Sequence, residues 1–355
     1  MKPKFSILCP SFNHEKYVGF FIQSVLEQSF DDFELIIVDD FSNDKNVEKI
    51  KEFKDERIKL IQHEYNKGIN ASLNTAFENS MGEFIVLSAS DDMFEKDALK
   101  IYYESFKADE NLLCIYPNLQ NIDENNNFIE NNNEQKFGTR AELLHHIFFE
   151  NNCLNSPGLC IKRTCFEKIH PLPNALCNLQ DMAMNINFLI DGKILQLKER
   201  LFFYRKSTDK KSISSNQKAK TRERLELELV LDNFLKLKDI NLIEQIFKKE
   251  LEQSKIKPQK YNLDFLLGML ALKSNDLNRQ FWGYHKMLNF YSDKENADRL
   301  YKDFAFSFKD FLELSTLIKD EPHFKKYKKY KKFFNYSLLL SSLLLVLLLL
   351  SWSLR

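Results

Sequence analysis

Glycine is scarce in this chain, with 8 among 355 residues. Protein backbone approaches a phosphate closely where glycine removes the Cβ atom, and neither GxGxxG nor GxxxxGK(S/T) occurs. These absences argue against a Rossmann dehydrogenase and a P-loop enzyme. The six cysteines show neither CxxC spacing nor a Cys/His array. We therefore expect reduced thiols in a cytosolic compartment, packed as small apolar side chains rather than acting in catalysis.

Net charge is also missing, because 51 lysines and arginines balance 51 aspartates and glutamates. This balance argues against nucleic acid as a partner across the whole surface. Positive charge is nevertheless concentrated locally near the C-terminus, where residues 325–332 hold six lysines. Residues 1–4 lack the apolar core of a signal peptide, so we expect no secretion signal.

Long apolar runs are absent except at the end of the chain. Residues 333–352 are mostly apolar, and 343–350 are leucine or valine throughout. A helix of ~20 residues reaches ~30 Å, the thickness of a bilayer core. Because the lysine cluster directly precedes this run, the pattern predicts a single-pass C-terminal anchor that holds the protein on the cytoplasmic face of the membrane. A buried or oligomerising helix is the alternative.

The first part of the chain alternates short apolar runs with helical patterns. The runs typical of buried strands are residues 5–9, 33–38, 58–61, 84–87, 112–116, 158–161 and 201–205. Pro10 closes the first of them, because proline cannot donate a ladder hydrogen bond. The helical patterns between the runs predict an α/β fold with a doubly wound, mixed sheet.

Two of the predicted strands are followed by a pair of carboxylates, Asp39-Asp40 and Asp91-Asp92. Ligands bind at the carboxyl ends of strands in open α/β sheets. Adjacent carboxylates at an apolar rim repel each other, and hard oxygen ligands suit Mg²⁺ or Mn²⁺. The pairs therefore predict a metal site, with the ion carried on a nucleotide diphosphate. The alternative for Asp92 is a capping box with Glu95 at the start of a helix.

A further acid, Asp181, stands at the start of a predicted helix. A negative charge at that position interacts favourably with the helix dipole whether or not it has a chemical role. The pattern alone therefore leaves both a structural and a catalytic role open for Asp181.

Four segments occur in the order typical of one family. They are PSFN at 10–13, ELIIVDDFSND at 34–44, NKG at 66–68 with an alanine and an asparagine after it, and GEFI at 82–85 before the second acid pair. Over residues 4–210 the chain resembles the inverting family 2 glycosyltransferases of GT-A fold. The resemblance implies a nucleotide-sugar donor, Mn²⁺ or Mg²⁺ as cofactor, and a glycan or lipid-linked acceptor.

The resemblance also implies which residues bind the nucleotide. Phe12 would pack on the nucleobase, Asp40 would hydrogen-bond it, and Asp39 would support the same pocket. An aromatic face suits a base, and a carboxylate accepts a base N–H. The full set of nucleotide-binding residues implied in this way is Pro10, Phe12, Asn13, Asp39, Asp40, Asn70 and Asp91.

By the same resemblance, Asp91 and Asp92 would hold the ribose and the metal-diphosphate, with Asp92 as the more direct metal ligand. Asp181 would be the general base that takes the proton of an acceptor hydroxyl, and one positioned base suffices for a single inverting displacement. Two departures stand out. Ala89 replaces the first acid of the usual Asp-x-Asp-Asp, and Tyr204-Arg205 lacks the histidine that usually follows. Arg205, Lys206 or a later lysine would then cover the phosphate charge.

We expect a catalytic domain at 1–215, a helical accessory region at 216–323, a basic juxtamembrane segment at 324–332 and the anchor at 333–353. The expected function is transfer of a hexosyl or hexosaminyl group, from a UDP-sugar, in cell-surface polysaccharide or lipooligosaccharide synthesis. The helical region could dimerise the protein, bind the acceptor or space the enzyme from the bilayer. A catalytically silent scaffold is the alternative function. A nucleotidyltransferase is disfavoured because it normally carries a glycine-rich basic loop.

Overall fold

The structure, a computed structural model, describes residues 2–131, 135–206, 217–254, 257–318, 326, 329–338 and 341–342. The chain divides into two compact units, Met1–Leu266 and Leu267–Arg355. The domain boundary predicted at 215/216 lies well inside the first unit. The helices that directly follow residue 216 therefore pack as part of the unit that contains the sheet.

One eight-stranded mixed sheet forms the centre of the first unit. Its strands are β1 Phe5–Ser11, β2 Phe33–Asp39, β3 Ile58–Gln62, β4 Phe84–Leu87, β5 Met93–Phe94, β6 Leu112–Ile122, β7 Cys160–Lys162 and β8 Lys193–Arg205. Their order is β3-β2-β1-β4-β7-β6-β8-β5. The β1–β2, β2–β3, β1–β4 and β6–β8 pairs are parallel, whereas β7 and β5 run antiparallel to their neighbours. This topology confirms the predicted α/β fold with a mixed sheet.

Helices alternate with the strands and then follow them. In the first unit they are α1 Val18–Leu26, α2 Asn46–Lys51, α3 Ile69–Glu78, α4 Ala98–Ala108, α5 Arg140–Phe149, α6 Arg163–Phe166, α7 Gln180–Asp191, α8 Gln217–Leu231, α9 Ile240–Ile246 and α10 Lys248–Ser254. Helix α11, Leu263–Ala271, crosses the boundary between the units, and α12 Leu277–Ser292, α13 Lys294–Phe304 and α14 Phe308–Glu313 lie in the second.

The main core lies between the sheet and α1 and α4. Phe5 and Ile7 of β1 and Phe21 of α1 are fully buried in it, and each such side chain contributes about 1.5–3 kcal/mol. Strand β4 approaches β1 closely at Gly82, where an added Cβ would lie 2.6 Å from the backbone nitrogen of Ser6. A side chain at position 82 would therefore push apart the two strands whose ends carry the predicted site.

Strand β1 extends further than the sequence indicates, since it continues through Pro10 to Ser11. Strand β4 pairs with β1 only as far as Leu8, so at Pro10 the strand has a neighbour on the β2 side alone. Because Pro10 lacks an N–H, it cannot donate a hydrogen bond, but on the β4 side there is no pairing at this position for it to interrupt. Strands β6 and β8 are also longer than predicted, because they pair with each other over most of their length.

The capping-box interpretation of Asp92 and Glu95 is wrong. Met93 and Phe94 form β5, which pairs with β8, and the next helix begins only at Ala98. The side chain of Asp92 accepts a hydrogen bond from the backbone N–H of Arg205 instead of capping a helix. Pairing with a distant strand has overridden the local helix-start signal.

In the second unit, α11 and α12 approach closely at two glycines. An added Cβ on Gly283 would lie 2.6 Å from the carbonyl oxygen of Gly268. Tyr291 of α12 stacks on Phe311 of α14, with ring centroids 5.2 Å apart. No helix among the described residues is long and apolar enough to cross a membrane. Of the predicted anchor, residues 339–340 and 343–353 lie outside the described residues.

Candidate active site

The predicted site residues converge at the carboxyl ends of β1, β2 and β4. Because these strands are parallel neighbours, their ends meet at the same edge of the sheet. We call residues 11–13, 39–42 and 90–92 the carboxyl edge. All but two of the predicted nucleotide and metal residues lie on it, the exceptions being Pro10 and Asn70.

Asp39 and Asp40 are both buried, and each holds a loop in place. Asp39 accepts hydrogen bonds from the side-chain amide of Asn46 (2.7 Å) and the backbone N–H of Ser42 (3.0 Å). Asp40 accepts from the backbone N–H groups of Lys67 and Gly68, both at 2.8 Å. A carboxylate has about four acceptor positions, so Asp40 retains capacity for another donor. Asp39 thus holds the loop after β2, and its predicted role in the nucleotide pocket stays a prediction.

His63 is a residue that the sequence analysis missed. Its Nδ1 lies 2.7 Å from Oδ1 of Asp40 and its Nε2 lies 3.0 Å from the hydroxyl of Thr75. Both the imidazole and the Asp40 carboxylate are almost fully buried. The histidine directly follows β3, and its position after a strand end is the signal that could have found it. The pair holds the Asp40 carboxylate in one orientation.

Two exposed aromatic side chains flank these acids. Phe12 follows β1 and is 40% exposed, and Phe41 follows β2 and is 48% exposed. Phe41 has a positive φ of 67°, and so does Asn13, with φ 56°. The Asn13 side chain accepts from the N–H of Asn43, and its own N–H donates to the hydroxyl of Ser42. Asn13 thus joins the two loops, and both aromatic faces remain available to a ligand.

Pro10 and Asn70 lie behind the carboxyl edge rather than on it. Pro10 is within β1. The Asn70 side chain is 1% exposed and donates to the carbonyl oxygens of Pro173 (2.7 Å) and Leu176 (2.9 Å). Asn70 therefore connects α3 to the segment that precedes α7, and its predicted contact with a nucleotide stays a prediction.

Asp91 and Asp92 differ in environment. Asp92 is 1% exposed, and burial together with the adjacent negative charge of Asp91 raises its pKa well above the ordinary range. Asp91 is more accessible, with its Oδ1 3.8 Å from Nδ1 of His14. A bound cation would stabilise the ionised form of both carboxyls. The burial of Asp92 beside a second carboxyl group is therefore the observation that makes a metal ion fit here.

The described residues contain no group of three or more His, Cys, Asp or Glu side chains that could hold a metal ion. Mg²⁺ is commonly bound by one or two carboxylates together with substrate phosphates. Asp91 and Asp92 fit that second arrangement, in which the remaining ligands come from a diphosphate and water.

Arg205 and Lys206, at the end of β8, have different roles. The Arg205 guanidinium donates to the carbonyl oxygens of Asp91 and Asp123, both at 2.6 Å, and lies 4.6 Å from the ring centroid of Tyr17. It therefore braces the loops after β4 and β6. Burial lowers the pKa of Lys206, and the negative charge of Asp92 opposes that shift. Because the Arg205 guanidinium is already bonded to two loops, Lys206 is the better candidate for a phosphate contact.

Asp181 lies in the first turn of α7. Its side chain keeps some solvent exposure but is surrounded by protein atoms, and this burial raises its pKa to about 6. Burial and then the charges of Asp92, Asp91 and Asp181 raise the pKa of Tyr204 to about 12. The charges of the candidate base and of the candidate metal ligands therefore all act on this one phenol.

A chain of hydrogen bonds that the sequence did not indicate runs along the carboxyl edge. Its successive links are 2.7–2.8 Å long and join His14, Ser90, Ser11, Asn46 and Asp39. Since it connects the ends of three elements, it fixes the distance between the two acid pairs. The positions of Ser11 and Ser90 beside strand ends are the available signal in the sequence.

The chain matches proteins of known family. The model of glycosyl transferase family 2 matches residues 6–169. UDP-Glc:alpha-D-GlcNAc-diphosphoundecaprenol beta-1,3-glucosyltransferase WfgD of Escherichia coli is 30% identical over 212 residues, which are 60% of this chain and 80% of WfgD. The match to WfgD is longer than the segment that the family model matches, so the likeness continues beyond residue 169.

Solved structures share the fold. S. aureus TarS 1–349 in complex with UDP-GlcNAc aligns with a TM-score of 0.54 and 16% identity, covering 84% of this chain and 89% of that one. Mannosyltransferase PcManGT from Pyrobaculum calidifontis, in complex with GDP-Man and Mn²⁺, aligns with a TM-score of 0.50 and 13% identity, covering 90% and 86%. With the sheet topology and the extent of the WfgD match, these findings show that the chain belongs to glycosyl transferase family 2 and has the GT-A fold.

Proposed function

We propose that this transferase moves a sugar from a UDP-sugar to a hydroxyl group of a glycan or lipid-linked acceptor, with inversion at the anomeric carbon. The observation that carries the proposal is the convergence of the two acid pairs at the carboxyl ends of the parallel strands β1, β2 and β4. Acids at that edge can hold a donor diphosphate through a metal ion, and Asp181 in the first turn of α7 is the separate base that a single displacement requires. WfgD is named for a UDP-Glc donor and a diphosphoundecaprenol-linked sugar, which supports this donor and acceptor class.

The donor would bind along the carboxyl edge. Phe12 and Phe41 offer aromatic faces to the base, and Asp40 keeps an acceptor position for a base N–H. Asp91 and Asp92 would hold Mn²⁺ or Mg²⁺, which supplies charge neutralisation that makes the diphosphate a better leaving group. Lys206 would add a positive charge on the same side.

The transfer would use Asp181 as the general base. Its carboxylate accepts the proton of the acceptor hydroxyl while the hydroxyl oxygen attacks the anomeric carbon from the face opposite the diphosphate. The bond from that carbon to the diphosphate oxygen breaks, and the electron pair leaves with the diphosphate. A pKa of about 6 leaves most of Asp181 ionised at neutral pH, yet keeps it more basic than an ordinary aspartate.

Polar atoms near Asp181 support a hydroxyl-rich acceptor. Four buried side-chain atoms there have no hydrogen-bond partner among the described residues: Asn155 Nδ2, Ser156 Oγ, Asn178 Nδ2 and Gln180 Oε1. Asn185, one helical turn after Asp181 on the same face of α7, donates to the side-chain oxygen of Asn152. The segment that contains Asn155 and Ser156 is therefore bonded to α7 one turn after the candidate base. Sugar hydroxyls could satisfy such unpaired groups.

The enzyme would act at the cytoplasmic face of the membrane in the synthesis of a cell-surface polysaccharide or lipooligosaccharide. The leucine-rich residues 343–350 and the lysines before them support this location. We expect the full-length protein to stay in the membrane pellet after carbonate extraction and a Leu345→Asp/Leu348→Asp variant to be released. A wild-type protein that is itself released would exclude the anchor.

The donor assignment can be tested by calorimetry of the detergent-solubilised full chain with UDP, with and without Mn²⁺. We expect metal-dependent binding that Asp92→Asn abolishes, because the buried carboxylate is the proposed metal ligand. Asp97→Asn is a matched control, since Asp97 is exposed and lies in the following turn. Binding of UDP that is indifferent to Mn²⁺ and to Asp92→Asn would contradict the metal role.

A further inference from the structure

We infer that Glu226, on α8, is a positioning residue for the candidate base Asp181. The Glu226 carboxylate accepts hydrogen bonds from three consecutive backbone N–H groups that precede α7. Its Oε1 accepts from Cys177 (3.3 Å), and its Oε2 accepts from Asn178 (2.9 Å) and Leu179 (2.8 Å). This inference rests on the proposed function, in which Asp181 removes the acceptor proton.

Helix α7 lacks the usual local means of holding its own start. Its N-cap residue is Leu179, which makes no side-chain capping hydrogen bond. A helix N-terminus leaves backbone N–H groups without intrahelical partners, and a nearby carboxylate also interacts favourably with the helix dipole. Here a carboxylate from another helix, 47 residues away from Leu179 in sequence, accepts from the N-cap N–H and places a negative charge next to the helix start.

A second contact from α8 reinforces the first. Arg222 is four residues before Glu226, so both side chains lie on one face of the helix. The Arg222 Nε donates to the side-chain oxygen of Asn178 at 2.7 Å. Further along α7, the side chain of Asn187 donates to that of Asn233, which follows α8. Helix α7 is therefore held near its start and again near its middle.

These contacts determine where the Asp181 carboxylate lies. Asp181 is the second residue of α7, so its direction follows the placement of the first turn. Misplacement of a reacting group by ~1 Å can lower a rate about a hundredfold. The segment that the sequence assigned to an accessory helical region thus completes the catalytic side of the site.

The test compares Glu226→Gln and Glu226→Ala with Glu223→Gln in the full-length enzyme. Glu223 lies on the same helix, one turn earlier, and makes none of the described hydrogen bonds to the backbone of residues 177–179, which go to Glu226. We measure kcat and KM for the UDP-sugar, the affinity for UDP with Mn²⁺, and hydrogen exchange of the amides at 177–179.

We expect Glu226→Gln to lower kcat about tenfold and Glu226→Ala up to about a hundredfold. UDP affinity should stay unchanged, because the carboxyl edge is built from other elements. The three amides should exchange faster in both variants, since Gln retains one acceptor oxygen and Ala retains none. Glu223→Gln should behave as wild type in every measurement.

An unchanged kcat in both Glu226 variants would overturn the inference. So would a parallel loss of kcat and of UDP-binding capacity, since that pattern marks a general loss of folded enzyme. If Glu226→Ala does not fold, Glu226→Gln alone decides the outcome. A wild-type enzyme that transfers no sugar would instead reject the proposed function, which separates the two failures.

Discussion

The carboxyl edge and the surroundings of Asp181 hold their functional groups in different ways. At the end of β2, Asp39 and Asp40 have several donors each, and these partners lie 3 to 28 residues away in the chain. Around Asp181, the segment before α7 is held from 44 to 49 residues away by Arg222 and Glu226, and from 103 and 106 residues away by Asn70.

The two regions also differ in how completely their polar atoms are paired. Along the edge, a continuous chain from His14 to Asp39 links three elements, and one atom of its members, Asn46 Oδ1, has no partner among the described residues. Beside Asp181, four buried polar atoms have no partner among the described residues. Preorganised groups need little rearrangement when a ligand binds, whereas unpaired buried groups are costly until one arrives. The difference teaches that the carboxyl edge is the more completely paired region and that the surroundings of Asp181 hold more buried groups that a ligand could pair.

The comparison is tested most strongly by Asp181→Asn, which should separate the two regions. We expect kcat to fall about 10²- to 10⁴-fold, because Asn has the size of Asp but cannot accept the proton. UDP affinity, measured by calorimetry with Mn²⁺, should not change. Asp191→Asn, at the other end of α7, is the control and should retain activity. Equal losses of binding and turnover in Asp181→Asn would show that the two regions are not independent.

A smaller effect is expected from pH. Burial raises the pKa of Asp181 to about 6, so the protonated form accumulates below that pH and cannot act as a base. The specificity constant kcat/KM, measured at saturating Mn²⁺, should be constant above pH 7. Well below pH 6 it should fall about tenfold for each pH unit. If the fall of kcat/KM on the acidic side of the pH profile shifted with the Mn²⁺ concentration, the titrating groups would be Asp91 and Asp92 instead.

The smallest effects should come from the support of the carboxyl edge. We expect His63→Ala to lower the free energy of unfolding by about 1–3 kcal/mol and to weaken UDP binding, because a buried Asp40 oxygen loses a partner. Thr75→Val removes only the hydroxyl behind the imidazole and should cost about 0.5–1.5 kcal/mol. Denaturant unfolding and calorimetry measure both. Equal effects of the two variants would contradict the role of His63 as the direct contact.

Much of the carboxyl edge could be predicted because its signals are local. Apolar runs ending in acid pairs indicated β2 and β4, and the structure confirms both strands with their acids at one edge. The local signal failed at Asp92 and Glu95, where a helix start was one alternative and β5 is present. There the decisive partner, β8, is more than a hundred residues away in sequence.

The sequence by itself determined the family, the alternation of strands and helices, and the positions of Asp39, Asp40, Asp91, Asp92 and Asp181 at the ends of elements, because strand and helix periodicity and short motifs are properties of consecutive residues. Only the tertiary structure decided that His63 supports Asp40, that Arg205 braces two loops and that Glu226 holds the start of α7. These are single side-chain contacts between different elements, 23 to 114 residues apart in the chain. No period or spacing marks such contacts, so they become visible only when the elements pack.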